Sequence, residues 1–437
     1  MRRKEALRRS AIGIPKQKGG EKKKKMKTKT AILVGIAICT ILLTSPALAS
    51  AGYSKIYGNA NEDDVLDMRD VTYIKLVIFG KKPATTLADA NYDGKISMLD
   101  VGQTKLIILG KEKQLTLVDM ADRTVTVPRP IERVVTTAIP TTRDVVILGA
   151  ADKVVGIDSY TASRGKKGFL FCVQAHPELA DLPVVGTYRE PNVEVILELK
   201  PDVVFVYFSY PEGADSIQEQ TGIPVVCLSS VRPDDFSKTY ESLRLAGKVL
   251  GKEDRDEWLI SYVEDKLDRV RKITNEIPEK EKPKVYALVA YGIKDTMVYA
   301  PVEWAGGRNV AKEYLLSHGL TYAQINPEQV IIWNPDVIFL GCTGDRVAKL
   351  LEVHPGLEVT KAVKEGKVYT IFGPWFCWDL IQMPVETYYM AKLLHPNKFQ
   401  DLDVEKEANR MFKEVYGADD LYNKVQEARG LELYRWE

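Results

Sequence analysis

The chain has 437 residues, 45% of them hydrophobic and 28% charged, which is enough apolar material for more than one buried core and excludes a disordered chain. Its formal charge of +1 hides an asymmetry: residues 1–30 carry thirteen Lys and Arg against two Glu, leaving 48 basic against 58 acidic residues, or −10, in the rest. A body of that sign repels polyanions, so nucleic acid is excluded as a partner despite the basic N-terminus.

Residues 1–50 read as a basic N-terminus and signal peptide. EKKKKMKTKT supplies the basic region, AILVGIAICTILL the apolar one, and SPALASAG a small-residue cleavage pattern at Ala47 and Ala49. Cleavage is expected near Ala49, with Met26 as an alternative start. The competing reading is a retained N-terminal anchor, because the run extended to Ala49 approaches the roughly 20 apolar residues of a membrane span. Both readings export the body, to the periplasm, the cell surface or the medium. Cys39 follows Ile38 rather than the small residue a lipidation site wants. Cys172, Cys227, Cys342 and Cys377 lack C-x-x-C spacing and read as small buried hydrophobes, with one disulfide among them left open.

A duplication follows, NANEDDVLDMRDVTYIKLVIFGK and, 30 residues on, DANYDGKISMLDVGQTKLIILGK. The second copy sets oxygen-bearing side chains at loop positions 1, 3, 5, 9 and 12, namely Asp89, Asn91, Asp93, Ser97 and Asp100, with Gly94 at position 6. The first sets Asn59, Asn61, Asp63, Asp67 and Asp70 there, with Asp64 at position 6, where a left-handed backbone is expected. Calcium takes six to eight oxygens in a tightly turned loop, so two calcium ions are expected. Each loop leads into a short apolar helix, and together the two units can bury one small core. Residues 57–111 resemble a type I dockerin, a module that binds cohesin domains. The resemblance puts partner recognition at loop positions 10 and 11, here Met68, Arg69, Met98 and Leu99, where the usual Ser-Thr pairs are absent. The module is taken as residues 53–112.

From Gln114 strands and helices alternate. VPRPIERVVTTA ends in a strand, DVVILGA is a helix, KVVGID a strand, VEVILEL a helix, and PDVVFVY and IPVVCLS are strands. Residues 251–278 contain one long helix with apolar residues at helical spacing, on the order of 35 Å at about 1.5 Å per residue. After Pro283 the pattern restarts with KVYALVAYG, a strand; EQVIIW, a helix; and PDVIFLG and KVYTIFG, two strands. NVEVILELKPDVVF at 192–205 returns as NPEQVIIWNPDVIF at 326–339, aligning Glu194 with Glu328 and Asp202 with Asp336. The predicted fold is α/β, with two Rossmann-like lobes (114–250 and 283–437, the latter with C-terminal helices) joined by one long helix and preceded by the small all-α calcium-binding dockerin.

P-x-R-V-V, the paired N-x-E…P-D motifs, LGKE before the long helix and GGRNVA together resemble the class III solute-binding proteins of ABC importers, which carry iron-siderophore, haem, cobalamin and related complexes. The resemblance covers roughly residues 117–415. It implies that Glu194 and Glu328, one per lobe, pair with arginines of a permease dimer, and that a metal complex is the transported solute. A helix-start acid stabilised by the helix dipole is the plainer role, and the two are compatible.

Ligands of open α/β sheets lie beyond the carboxyl ends of the strands. There the sequence offers Thr142, Arg143, Tyr160, Tyr188, Arg189 and Tyr210 in the first lobe and Trp304, Arg308, Trp375 and Trp378 in the second. The tryptophans suit stacking on a macrocycle or aromatic chelator, and Arg143, Arg189 and Arg308 suit carboxylates or an oxyanion. Histidines are four and scattered, which argues against a bare zinc site. Alternatives remain: a receptor for an oxyanion such as molybdate or tungstate, an adhesion scaffold, or a secreted dockerin-bearing polysaccharide-degrading enzyme. For the enzyme only Asp379 and Glu303 offer themselves as carboxylates, and no G-x-S-x-G, H-E-x-x-H or P-loop is present. A non-enzymatic receptor is the expectation.

Overall fold

The computed structural model describes residues 52–207, 211–229, 236–289, 294–341, 346–373 and 379–430. The leader lies outside the described residues, as do Tyr210, Cys342, Trp375, Cys377 and Trp378.

A hairpin of β1 (Gln114–Val118) and β2 (Thr124–Pro128) precedes the first lobe. The sheet of that lobe is parallel, built from β3 (Val134–Thr136), β4 (Val154–Gly156), β5 (Val203–Tyr207) and β6 (Val225–Leu228) in the order β4-β3-β5-β6. In the second lobe β7 (Lys284–Leu288), β9 (Arg308–Asn309), β11 (Val337–Gly341) and β12 (Val368–Ile371) run parallel in the order β12-β11-β7-β9. A short antiparallel pair, β8 (Thr296–Met297) with β10 (Tyr322–Ala323), stands apart. Numbered within each lobe, both parallel sheets read second-first-third-fourth, so the sequence duplication is a duplication of topology. The central strands β5 and β11 are almost wholly buried, as parallel strands covered on both faces must be.

The repeated motif has a mechanical role in each lobe. Asn192 and Asn326 cap the helices Val193–Leu199 and Pro327–Trp333 by accepting from Val195 N at 3.2 Å and Glu328 N at 3.0 Å. Both helices end in left-handed residues, Lys200 and Asn334, each at φ 46°. The aspartate that follows then stitches the third strand to the first. Asp202 accepts from Glu132 N and Arg133 N at 2.7 and 2.8 Å, and Asp336 accepts from Lys284 N at 2.8 Å while pairing with Lys361 at 2.7 Å.

The helix joining the lobes runs Glu253–Thr274, with Glu253, Asp254 and Asp256 in its first turn and Arg271 and Lys272 in its last, matching the dipole at both ends. Its 22 residues span about 33 Å. It packs against Phe236–Leu250 of the first lobe and against Ala300–Trp304 and Gln382–Leu394 of the second. At Gly247 the approach is so close that a Cβ would lie 1.9 Å from Asp256 Oδ2. The last two helices, Val404–Tyr416 and Leu421–Arg429, return to the first lobe: Phe412 stacks on Phe171 at 4.1 Å, and Arg429 Nε donates to Phe169 O at 3.0 Å. One hydrophobic core therefore runs through both lobes. Among the described residues no helix is long and apolar enough to cross a membrane.

The N-terminal module is two loop-helix units. Its helices Met68–Ile78 and Met98–Ile108 pack on each other over Ala60, Val71, Ile74, Ala88 and Val101. Its first residues are sewn to β1: Tyr57 N donates to Thr116 O at 3.0 Å, Val118 N to Lys55 O at 2.9 Å, and Lys55 pairs with Glu241 at 3.0 Å. Tyr53, Ile56 and Ile107 enter the core that runs through both lobes. The expected left-handed backbone at Asp64 is not there. Positive φ falls instead at Glu62 (56°) and Tyr92 (57°), position 4 of each loop, and at Gly94 (84°), so the first loop completes its turn without glycine at position 6.

Candidate functional site

The carboxyl end of β4 carries the most developed candidate surface. Asp158 caps the helix Ser159–Lys166, its carboxylate accepting from Tyr160 N and Thr161 N at 2.9 and 3.1 Å. That fixes where Tyr160 leaves the backbone. The loop bearing Tyr188 and Arg189 is held beside it, because Ile157 N donates to Pro183 O and Ser159 N to Gly186 O. Gly186 has φ 91°, and a Cβ there would meet Glu190 O at 2.4 Å, so the loop needs glycine at this position. As a result the rings of Tyr160 and Tyr188 lie 6.4 Å apart at 49°. Arg164 lies over the Tyr160 ring at 5.1 Å and Arg189 over the Tyr188 ring at 5.3 Å. Two tyrosines and two guanidiniums thus gather on a partly exposed surface, a combination suited to an anion that also has flat or apolar faces. Arg164 escaped the sequence reading, although its i+4 spacing from Tyr160 on a helix is the signal that would have found it.

Other expected ligand residues lie elsewhere. Thr142 is buried, its hydroxyl 2.7 Å from that of Thr136, where it ties the helix Ile139–Ile147 to β3. Arg143 is 3% exposed and pairs with Asp144 at 2.8 Å. Burial works against its charge, but Asp144 and Asp379 outweigh it and hold the guanidinium protonated. It lines a minute cavity with Ser229 of the first lobe and Leu380 of the second, at the seam between lobes. Trp304 is packing rather than a stacking plate: Phe236 meets it edge-on at 5.3 Å, Arg271 lies over its ring at 4.7 Å, and its carbonyl accepts from Thr274 at 2.8 Å. Arg308 starts β9 in register with Lys284, at the amino ends of the second sheet. Its side chain borders a surface cavity of about 520 Å³ shared with Lys312 and Trp333. The sheet thus carries it away from the strand ends where a guest is expected.

In the second lobe, Glu386 is buried behind the end of β12. It accepts from Gly373 N at 3.0 Å and from the Tyr299 hydroxyl, and burial pushes it up to about 8, so it adds no charge at neutral pH. Asp379 is buried and accepts from Ile381 N at 2.9 Å and from the Tyr416 hydroxyl, while Glu303 pairs with Lys312 at 3.4 Å. Asp379 is thus enclosed, and Glu303, which shares its surface cavity with Glu279 and Glu313, is held by Lys312 at the amino ends of the second sheet, away from the strand ends where a guest is expected. Glu194 and Glu328 are both exposed in the first turns of their helices.

In the module, Asp70 and Asp100 are buried and accept backbone N–H groups from their own loops. Asp89 accepts from Asp93 N and Gly94 N, Asn91 Nδ2 donates to Asp93, and Ser97 caps the second helix. Among the described residues no three His, Cys, Asp or Glu side chains converge as a metal cluster. The donor set nevertheless fits a hard cation. It consists of carboxylate, amide and hydroxyl oxygens, and Asn59 Oδ1, at position 1 of the first loop, is buried with no hydrogen-bond partner.

The periplasmic binding protein family model matches residues 134–373, more than half of the chain. Among curated proteins, the chain is 27% identical over 327 residues to the molybdate-binding protein MolA of Haemophilus influenzae, covering 68% of this chain and 90% of that one. It is 28% identical over 200 residues to the Fe(3+)-citrate-binding protein YfmC of Bacillus subtilis, covering 43% and 59%. It is 25% identical over 238 residues to a cobalamin-binding protein of Halobacterium salinarum, covering 52% and 59%. The chain thus spans less than two thirds of the length of these last two. In fold it resembles MolA bound to molybdate (TM-score 0.59, 24% identity, 70% of this chain and 98% of that) and a periplasmic solute binding protein of Veillonella parvula (TM-score 0.56, 23% identity, 72% and 98%).

Proposed function

The chain belongs to the periplasmic binding protein family, the exported, non-enzymatic solute receptors of ABC importers, and from that premise we propose that its solute is an anionic metal complex of the iron-siderophore, haem or cobalamin-like class. The observation that carries this reading is the cluster of Tyr160, Tyr188, Arg164 and Arg189 at the carboxyl end of β4. Tyrosine faces offer area to a chelator or macrocycle, and the guanidiniums offer charge-assisted hydrogen bonds to its carboxylates or metal-bound oxygens.

A bare oxyanion is the second reading, favoured by the similarity to MolA. A small tetrahedral anion is best held by buried donors that converge on it. Here the buried guanidinium, Arg143, is engaged by Asp144, and the remaining pair sits over aromatic rings. That arrangement favours the larger guest. Native mass spectrometry of protein purified from its own source tests the choice. A metal-bearing adduct of several hundred daltons is expected, whereas a molybdate-sized adduct would transfer the reading to the oxyanion.

Glu194 and Glu328 are proposed to dock on the permease dimer, setting register through rim charges. The N-terminal module is proposed to be a dockerin holding two calcium ions, through Asn59, Asn61, Asp63, Asp67 and Asp70 and through Asp89, Asn91, Asp93, Ser97 and Asp100. When bound, calcium would supply fixed positive charge that locks each loop. The exposed Met68, Met98 and Leu99, with Arg69, form the face offered to a cohesin. Excising the module would strip Tyr53 and Ile56 from the receptor's core, so the cleaner test keeps it in place. Cohesin captured in calcium by the full chain should be lost on Leu99→Glu, and capture that survives this change would remove the face from the account.

A further inference from the structure

The two loops of the N-terminal module differ in a feature that solute binding does not use. At position 11 of the first loop stands Arg69. Its Nη1 lies 3.0 Å from Asp63 Oδ2 and its Nε 2.9 Å from Asp67 Oδ2, so one guanidinium spans positions 5 and 9 of the calcium pattern. The second loop has Leu99 at position 11 and Ser97 at position 9, and among the described residues no Lys or Arg forms an ion pair with Asp89 or Asp93. The first loop is also the more acidic, with Glu62, Asp63, Asp64, Asp67 and Asp70 against Asp89, Asp93 and Asp100.

A second observation in the first loop suits a cation. Asn59 is 1% exposed, and its Nδ2 donates to Ser54 O and Asp63 O at 2.8 and 2.6 Å, yet its Oδ1 has no partner. A buried oxygen at loop position 1 without a donor is one that a bound cation would satisfy. Arg69 reaches the outer carboxylates of the loop but leaves this inner oxygen unsatisfied.

We propose that Arg69 is a resident counter-cation of the first loop, which neutralises Asp63 and Asp67 in the cation-free state and has to give them up when calcium enters. The inference rests on the calcium reading of the module. It makes the sites unequal: the second loop fills first, and filling of the first is opposed by displacement of a guanidinium that already satisfies two of its ligands. The first loop therefore keeps its shape without calcium, as its stitching through Ser54 to the receptor requires.

Titration of the full chain with calcium, by calorimetry and by terbium luminescence, tests this. Tyr92 sits at position 4 of the second loop, so sensitised terbium emission lost on Tyr92→Phe marks filling of that loop. Two steps are expected in the wild type, the emissive one tighter. In Arg69→Gln and Arg69→Leu the weaker step should tighten by roughly fivefold, the scale of one unit charge removed from an exposed carboxylate pair, while the emissive step stays in place. Two indistinguishable steps in the wild type, or a weaker step that Arg69 variants leave unchanged or weaken further, overturn the counter-cation role while leaving calcium binding intact. No calcium uptake by the wild type overturns both.

Discussion

Replacing Arg164 and Arg189 together by leucine is expected to weaken solute binding by about a hundredfold or more, with little change in thermal stability. The magnitude follows from two charge-assisted hydrogen bonds at about 1.5–3 kcal/mol each. Neither guanidinium is buried, and each lies over a tyrosine ring, so leucine leaves the core untouched. The single variants should each show part of the loss, and because the two share one guest their effects should not simply add. Arg143→Leu is the contrasting control. Its guanidinium neutralises Asp144 in the interlobe seam, so its removal strands a buried carboxylate and should lower stability by about 3–5 kcal/mol. If Arg143→Leu abolished binding in a fully folded protein and the double variant did not, the site would have to move to the seam.

Reversing both docking charges, Glu194→Arg with Glu328→Arg, should reduce importer-dependent uptake and solute-stimulated ATPase by at least tenfold and leave the dissociation constant of the solute unchanged. Each glutamate sits exposed in the first turn of a helix whose cap is supplied by asparagine, not by the glutamate itself. Reversal costs the helix only its dipole interaction, about 0.3–1 kcal/mol. Against a basic permease surface the same change turns attraction into like-charge contact, which costs several kcal/mol and slows encounter. Uptake that persists at the wild-type rate would restrict both residues to helix starts.

The lobes were legible in the sequence because their signals are local. Apolar runs such as VVFVY and VIFLG give buried parallel strands, and the repeated Asn-x-Glu…Pro-Asp unit marks a capped helix and the clamp that follows it. What escaped depends on contacts distant in the chain. The helix Ile139–Ile147 is buried nearly all round, so no polar face announces that Thr142 and Arg143 point into the core. Trp304 is claimed by Phe236 from the other lobe, and the return of the last helices to Phe171 spans more than two hundred residues. Arg308 was misplaced because a two-residue strand is too short to show which of its ends the arginine occupies. The β1–β2 hairpin was readable in principle from the alternation of LTLV and TVTV around Asp122, which turns at φ 56°.

The measurement that bears most directly on the receptor reading is calorimetric titration of the solute-free wild-type chain with ferric citrate, a haem, cobalamin and molybdate in parallel. A metal complex bound tightly, one to one, and lost in the Arg164→Leu, Arg189→Leu variant is the predicted result. Molybdate bound in preference to every complex, or a complex bound equally well with both arginines gone, would contradict it.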